Sequence, residues 1–475
     1  MSISLKASTE EPSWRWAQEE MQQLTCCDRR TQSRVVELLH QCASKPGVSL
    51  PEACGTWSKT KAAYRCLSNC TVEAPRLLAS HGAATWRRME AHEVVLALAD
   101  TTSLNHTSHP ATEGLGPIHV AGSSSRGMLV HSVVALSEQG EPLGLLHVHP
   151  WVRTQVRGRK NQGSKNGRPV AQKESQRWIT AYEEVARQSQ QHLAGRQNKR
   201  VIMVCDREGD IYELLLAAQA SKQACGLLVR SQHGRSLEQG QQVVWEHLSK
   251  QATLGHVEVQ VPAQGTRPAR VAILHVRSAA VRLGVPVDKQ RIFGAREGLD
   301  VWAIEAVEDH APKGQKALHW KLLSTEEAPD LTQASQQLQW YAKRWNIEVF
   351  HRTLKSGCRV ESRQLGTYEG LERMLMIDAI VAWRLMALTY AARHQPETPA
   401  DRWLEQTEWK VLSCWATKST ATEHPPTIKQ AVHWLARIGG FLGRKSDGEP
   451  GVQCLWRGML GLQSMVELWN AQKSG

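Results

Sequence analysis

Residues 94–100 read VVLALAD: six apolar residues in a row, closed by Asp100. The run is too short for a typical helix, and it does not alternate as a half-exposed strand would. It fits a strand covered on both faces. Residues 201–206, VIMVCD, repeat the pattern and end in Asp206. Further apolar runs occupy Met128–Leu136, Leu143–Val148 and Leu227–Val229, and 173–192 (KESQRWITAYEEVARQSQQH) reads as a helix between strands. This alternation predicts an α/β core. A carboxylate at the end of a buried strand is rigidly placed and faces ligand or solvent, where α/β sites usually lie. A single such Asp is equally a turn former or helix cap; two in one chain favour a site.

Outward from these strands the pattern changes on both sides. Residues 1–75 read as helices over Trp14–Leu24, Ser33–Cys42 and Thr60–Leu67. Asp28 is placed to cap the helix that carries Arg29, Arg30 and Arg34. Between Arg29 and Arg65 there are seven basic and two acidic residues, a local +5. Residues 240–325 read as a β-rich insertion, with strands at Val257–Val261, Val271–Val276, Val301–Val307 and Leu318–Leu323. Long helices are expected over 331–356 and 370–393. After a polar, Pro-containing break come Thr427–Leu435 and Leu455–Ala471, each apolar on one face. The expected organisation is an N-terminal helical domain (1–75), a central domain (76–393) interrupted by the insertion, and a C-terminal helical domain (394–475).

The length of 475 residues corresponds to about three domains. Lys plus Arg is 58 against 46 for Asp plus Glu, a formal charge of +12, which favours a polyanionic partner. The basic excess is concentrated between Trp151 and Trp178. There Arg153, Arg157, Arg159, Lys160, Lys165, Arg168, Lys173 and Arg177 face only Glu174, a local +7 that reads as a phosphate-binding loop or a solvated surface loop. The best membrane candidate, Met374–Leu388, falls short of the ~20 residues a span needs and carries Asp378 and Arg384. No signal-peptide h-region is evident in MSISLKASTEEPSWRW. The 11 cysteines form no CxxC, and Cys66 and Cys70 read as helix-face packing without a second ligand pair. A reducing, cytoplasmic setting is expected.

A third carboxylate lies in YAKRWNIEVFHRTLK, residues 341–355. Tyr341, Arg344, Glu348, His351 and Lys355 are spaced 3, 4, 3 and 4, which on one helix spans an arc of roughly 80°. Trp345, Val349 and Leu354 fall opposite as candidate core. The same spacing also suits a plain salt-bridged surface. Phosphodiester chemistry gives the acids a purpose, because two or three carboxylates can hold two divalent ions ~3.5–4 Å apart. Hard oxygen ligands suit Mg²⁺ or Mn²⁺, and cations one turn away hold phosphates in register.

Tyr341-x2-Arg344-x3-Glu348-x6-Lys355 resembles the Y–R–E–K signature of bacterial insertion-sequence transposases of the DDE class. ALADTTSL, VCDREGDIY and RWNIEVFHRTLKSG resemble the three catalytic blocks of the transposon-five branch. SRGMLVHSVVAL, LLVRSQHGR, WKLLST, KAAYR and LARIGGF extend the likeness nearly end to end. The resemblance implies an RNase H-like mixed sheet with a β-strand insertion before the Glu; Asp206 and Glu348, 142 positions apart (348 − 206), leave room for one. It implies an N-terminal helical DNA-binding domain and a C-terminal helical domain that pairs two subunits across synapsed double-stranded DNA ends. By this likeness Asp100, Asp206 and Glu348 bind two Mg²⁺ ions. Tyr341, Arg344 and Lys355 grip the DNA end, with His351 and Arg352 beside them on the same helix. Trp320 stacks on a flipped base and Arg230 touches DNA. Arg29, Arg30, Arg34, Tyr64 and Arg65 lie in the end-recognition domain. The 153–168 stretch matches no family block, and Met128-Leu129 occupies the place of a second base-flanking tryptophan. The implied activity is cut-and-paste transposition through a hairpin. The alternatives are a catalytically silent DNA-binding regulator and an RNase H-like nuclease that never joins strands. If the positive charge meets phosphates, DNA affinity measured by gel shift falls steeply, by about 10³-fold or more, between 50 and 200 mM salt.

Overall fold

The computed structural model describes residues 15–25, 28–118, 124–154, 173–196, 198–238, 242–261, 269–289, 298–312, 315–419, 423–444 and 447–474. The basic stretch expected between Trp151 and Trp178 lies mostly outside them.

The two runs that end in Asp are strands β1 (Val94–Asn105) and β5 (Arg200–Cys205). They join β2 (Gly116–Pro117), β3 (Arg126–Ser137), β4 (Pro142–Trp151) and β6 (Gly226–Arg230). The insertion adds β7 (Gly255–Val261), β8 (Arg270–Leu283), β9 (Leu299–Glu308) and β10 (His319–Ser324). All ten form one sheet. Its central order is β4-β3-β1-β5-β6, with β3 antiparallel to both neighbours and β1, β5 and β6 parallel. This is the RNase H-like arrangement. The insertion continues that sheet: β10 pairs antiparallel with β6, and β9, β8 and β7 follow.

Both faces of the central strands are covered, which is why their sequences are continuously apolar. Leu96, Leu98, Ile202, Val204, Leu228 and Leu322 face one core, shared with residues of the helices at 331–352 and 368–394. Val95, Ala97, Ala99, Met203, Leu227 and Val229 face the other, shared with the Gln176–Leu193 and Tyr212–Ala220 helices. Because side chains alternate along a strand, Asp100 and Asp206 extend the first face.

The N-terminal helices run Arg15–Glu20, Arg29–Ser44, Leu50–Cys54 and Trp57–Ser68, followed by Ala74–Met89, a helix the sequence pattern did not single out. Asp28 caps as expected, its Oδ1 accepting the Thr31 N–H at 2.9 Å. Cys66 is buried, as helix packing requires, whereas Cys70 is exposed. The C-terminal helices are Gln406–Thr417, Ile428–Ile438 and Val452–Ser474.

The apolar Tyr368–His394 helix is long enough to cross a membrane, but it is buried in the protein. The two charges within its apolar stretch, Asp378 and Arg384, are accounted for internally. Arg384 stacks over Trp16 at 3.9 Å, and Asp378 forms a two-pronged ion pair with Arg363 at 2.9 and 2.6 Å. Arg363 also donates to the Val48 carbonyl at 2.6 Å. Next to it, Gly47 adopts φ +77°, and a Cβ there would lie 2.3 Å from the Gly357 carbonyl oxygen. Residues 47–48 thus seat the N-terminal helices against the segment that follows Glu348. Replacing Arg363 with Met strands a buried carboxylate, and urea unfolding should show a loss of about 3–5 kcal/mol.

Candidate active site

The β1–β5 register pairs Ala99 with Cys205, so Asp100 and Asp206 are the next positions on adjacent parallel strands, pointing to the same face. Asp206 also starts a helical turn, its Oδ1 accepting the Glu208 N–H at 2.8 Å. Asp100 accepts its neighbour's N–H, from Thr101, at 2.7 Å. Burial and then the charge of Asp206 push the Asp100 pKa up to about 6. Burial also raises Asp206, with the Glu208 N–H partly opposing.

The third carboxylate arrives on a helix that differs from the expected one. Instead of one α-helix over 331–356 there are Leu331–Ala342, Trp345–Arg352 and a wider π-helical turn over Thr353–Gly357. At the junction the chain tightens to i,i+3 bonding: Arg344 N to Tyr341 O, Asn346 N to Lys343 O and Ile347 N to Arg344 O. The Asn346 side-chain amide holds the Lys343 carbonyl at 2.8 Å. An overwound junction followed by an underwound turn replaces the regular spacing from which the 80° face was computed. Trp345, expected in the core, is 57% exposed beside Arg344, while Leu354 is buried.

Arg344 connects the acids. Its Nη1 donates to Asp100 Oδ2 at 3.1 Å and its Nη2 to Glu348 Oε1 at 3.2 Å. Among the described residues no three carboxylate, imidazole or thiolate side chains stand ready around a common metal position. Between Asp100 and Glu348 it is the guanidinium that balances charge.

Around this centre Tyr341 is buried and meets Trp320 edge-on, ring centroids 5.4 Å apart. Arg230, at the end of β6, lies over the same tyrosine ring at 5.8 Å and donates to the His319 carbonyl at 3.2 Å. Lys355 is half-buried on the π-helical turn and Arg352 is exposed. His351 corrects the expectation of a DNA contact. It is buried, and burial together with Lys355 and Arg344 lowers its pKa to about 3, so it is a neutral core group. Arg29, Arg30, Arg34, Tyr64 and Arg65 sit on the N-terminal helices outside this cluster, with Arg29, Arg30 and Arg65 exposed. At the described edges of the basic stretch, Arg153 pairs with Glu174, and Arg177 is turned inward to Thr101 and Glu208. Thr101, His131, Arg177 and Glu208 border the aspartates, yet only the adjacency of Thr101 to Asp100 and of Glu208 to Asp206 hinted at this in the sequence.

Comparison with known proteins places family domains at both ends of the chain. A family model described as "Transposase DNA-binding" matches residues 13–72, and one described as "Transposase Tn5 dimerisation domain" matches residues 380–474. Among solved structures, a piggyBac transposase synaptic complex with hairpin DNA is similar over 81% of this chain and 73% of that chain, at 10% identity and a TM-score of 0.34.

The raised pKa of Asp100 has a stability consequence. A carboxylate whose folded pKa exceeds its unfolded value favours folding below the unfolded pKa, and this contribution disappears as pH rises through the folded pKa. Asp100→Asn should therefore stabilise the protein above pH 6, by up to about 2–3 kcal/mol. The gain should vanish below about pH 4, as followed by thermal melting across that range.

Proposed function

We propose that this chain, a Tn5-like transposase by the domains at its two ends, cuts DNA at the terminal inverted repeats of a mobile element and joins the freed 3′-hydroxyls to target DNA. The observation that carries this reading is the meeting of three acids from distant blocks. Asp100 and Asp206 directly follow Ala99 and Cys205, the last paired residues of the β1–β5 ladder, and Arg344 links Asp100 to Glu348. The setting is a chain with a transposase DNA-binding domain and a dimerisation domain.

The donor chemistry, though not the present spacing of the three acids, suits Mg²⁺ or Mn²⁺. The donors are hard carboxylate oxygens, and the upward pKa of Asp100 reflects burial and like-charge crowding that a dication relieves. In this reading Asp100, Asp206 and Glu348 would hold the ions, which supply activation of the attacking oxygen and stabilisation of the leaving one. The chain's own cations position the DNA. Arg344 uses two of its five N–H donors on the carboxylates, so a phosphate held by the others would sit beside the acids and couple DNA binding to their charge. Lys355 and Arg352 extend that contact along the strand. Trp320 and Arg230 frame Tyr341, offering an aromatic face with a cation beside it for an unstacked base. Arg29, Arg30, Arg34, Tyr64 and Arg65 serve end recognition, and the C-terminal helices pair two subunits. Resolution through a hairpin belongs to the same proposal.

The test is Mg²⁺-dependent nicking of a plasmid carrying the element's terminal repeats. Asp100→Ala, Asp206→Ala and Glu348→Ala should each reduce nicking by at least about 10³-fold, with end binding by gel shift essentially retained. Normal nicking by Glu348→Ala would falsify the mechanism. End binding by the wild type without any nicking would instead identify a silent regulator, and nicking without joined products would identify a nuclease.

A further inference from the structure

Arg177 reaches the end of the β1–β5 pairing, where both aspartates stand, from the side of the sheet opposite the carboxylates. It stands in the first turn of the Gln176–Leu193 helix, and its side chain is 13% exposed. Its Nε donates to Thr101 Oγ1 at 2.9 Å, its Nη1 to the Glu174 carbonyl at 2.8 Å and its Nη2 to Glu208 Oε2 at 2.6 Å. The guanidinium also lies over the Trp151 ring at 5.3 Å. Thr101 immediately follows Asp100, and Glu208 is two residues after Asp206, in the turn whose N–H that aspartate accepts. One planar group with donors in three directions therefore spans the backbone positions next to both acids, which a lysine ammonium cannot do.

Arg177 can only donate, so the Thr101 oxygen accepts from it, and the same hydroxyl is hydrogen-bonded to Nδ1 of His131, 2.8 Å away. His131 faces Thr101 directly across the β1–β3 ladder and packs edge-on against Trp178 at 4.6 Å. Burial, reinforced by His147 and Arg177, holds its pKa well below the ordinary histidine range. Thr101 is thus held between Arg177 and His131.

We propose that Arg177 is a positioning residue of the strand-cutting site: by holding Thr101 and Glu208 it sets the relative placement of Asp100 and Asp206. The inference rests on the reading of those two aspartates given above. A mere ion pair between elements makes a different prediction, and the chain contains one for comparison. Arg200, at the start of β5, pairs with Glu326 at the far end of the same strand from Asp206.

The experiment compares the full-length wild type with Arg177→Met, Arg177→Lys, Thr101→Val, Thr101→Ser and Arg200→Met. It measures single-turnover nicking of terminal-repeat plasmid at saturating protein over a Mg²⁺ titration, end affinity by gel shift, and the melting temperature. Arg177→Met and Thr101→Val should slow nicking at least tenfold and raise the Mg²⁺ concentration at half-maximal rate, with end affinity within twofold of wild type. Arg177→Lys should stay impaired. Thr101→Ser, which keeps the hydroxyl, should recover the wild-type rate and Mg²⁺ midpoint. Arg200→Met should lower the melting temperature and leave the midpoint in place. A wild-type rate and midpoint in Arg177→Met or Thr101→Val overturns the inference alone, as does a Thr101→Ser variant as slow as Thr101→Val. If Arg177→Met does not fold, the two Thr101 variants decide the matter. A wild type that binds ends but never nicks removes the strand-cutting reading itself, and this inference falls with it.

Discussion

Parallel pairing of β1 with β5 is the constraint on which everything else here depends. The register that opposes Ala99 to Cys205 brings two carboxylates side by side at the edge of a buried sheet. A one-residue slip would turn Asp206 to the other face, among the apolar side chains of the second core. The slip is opposed by the burial of both faces: Ile202 and Val204 belong to one core, Met203 and Cys205 to the other. The apolar patterning that makes the strands also determines where their acids go.

The acids crowd one another, and the fold answers with cations from both sides of the sheet. Arg344 bridges Asp100 and Glu348 on the face that carries them, while Arg177 secures Thr101 and Glu208 from the opposite face. The overwound junction at Lys343–Arg344 and the π-helical turn after Arg352 mean that this helix is adapted to its site rather than regular. The insertion contributes by continuing the sheet. β10 lies against β6, so Trp320 and Arg230 meet Tyr341 near Arg344 and the acids it joins.

Much of this was legible before any coordinates. The apolar runs located the central strands, the alternating pattern located those of the insertion, and Asp28 announced the helix it caps. The family likeness ordered the three acidic blocks, and the family domains found at the two ends of the chain agree with it. The errors have a common origin. His351 and Trp345 both lie within the Trp345–Arg352 helix, and periodicity alone does not say which side of a helix meets the core, so one was expected outside and is buried and the other the reverse. Arg177 falls in a basic stretch read as a phosphate-binding or solvated surface loop, because composition cannot distinguish an exposed arginine from one folded back onto a strand.

Sequence by itself determined which segments become strands and helices, because burial of apolar side chains acts locally through periodicity. It also placed Asp206 at the close of β5, whereas β1 runs five residues past Asp100, paired with β3. Tertiary structure alone decided that the insertion extends the sheet, that Arg344 and Arg177 approach the Asp100–Asp206 edge from opposite faces, and that the imidazole of His351 is in the core. Those outcomes depend on long-range pairing and on the desolvation of particular charged or polar groups, and neither quantity exists until distant parts of the chain have met.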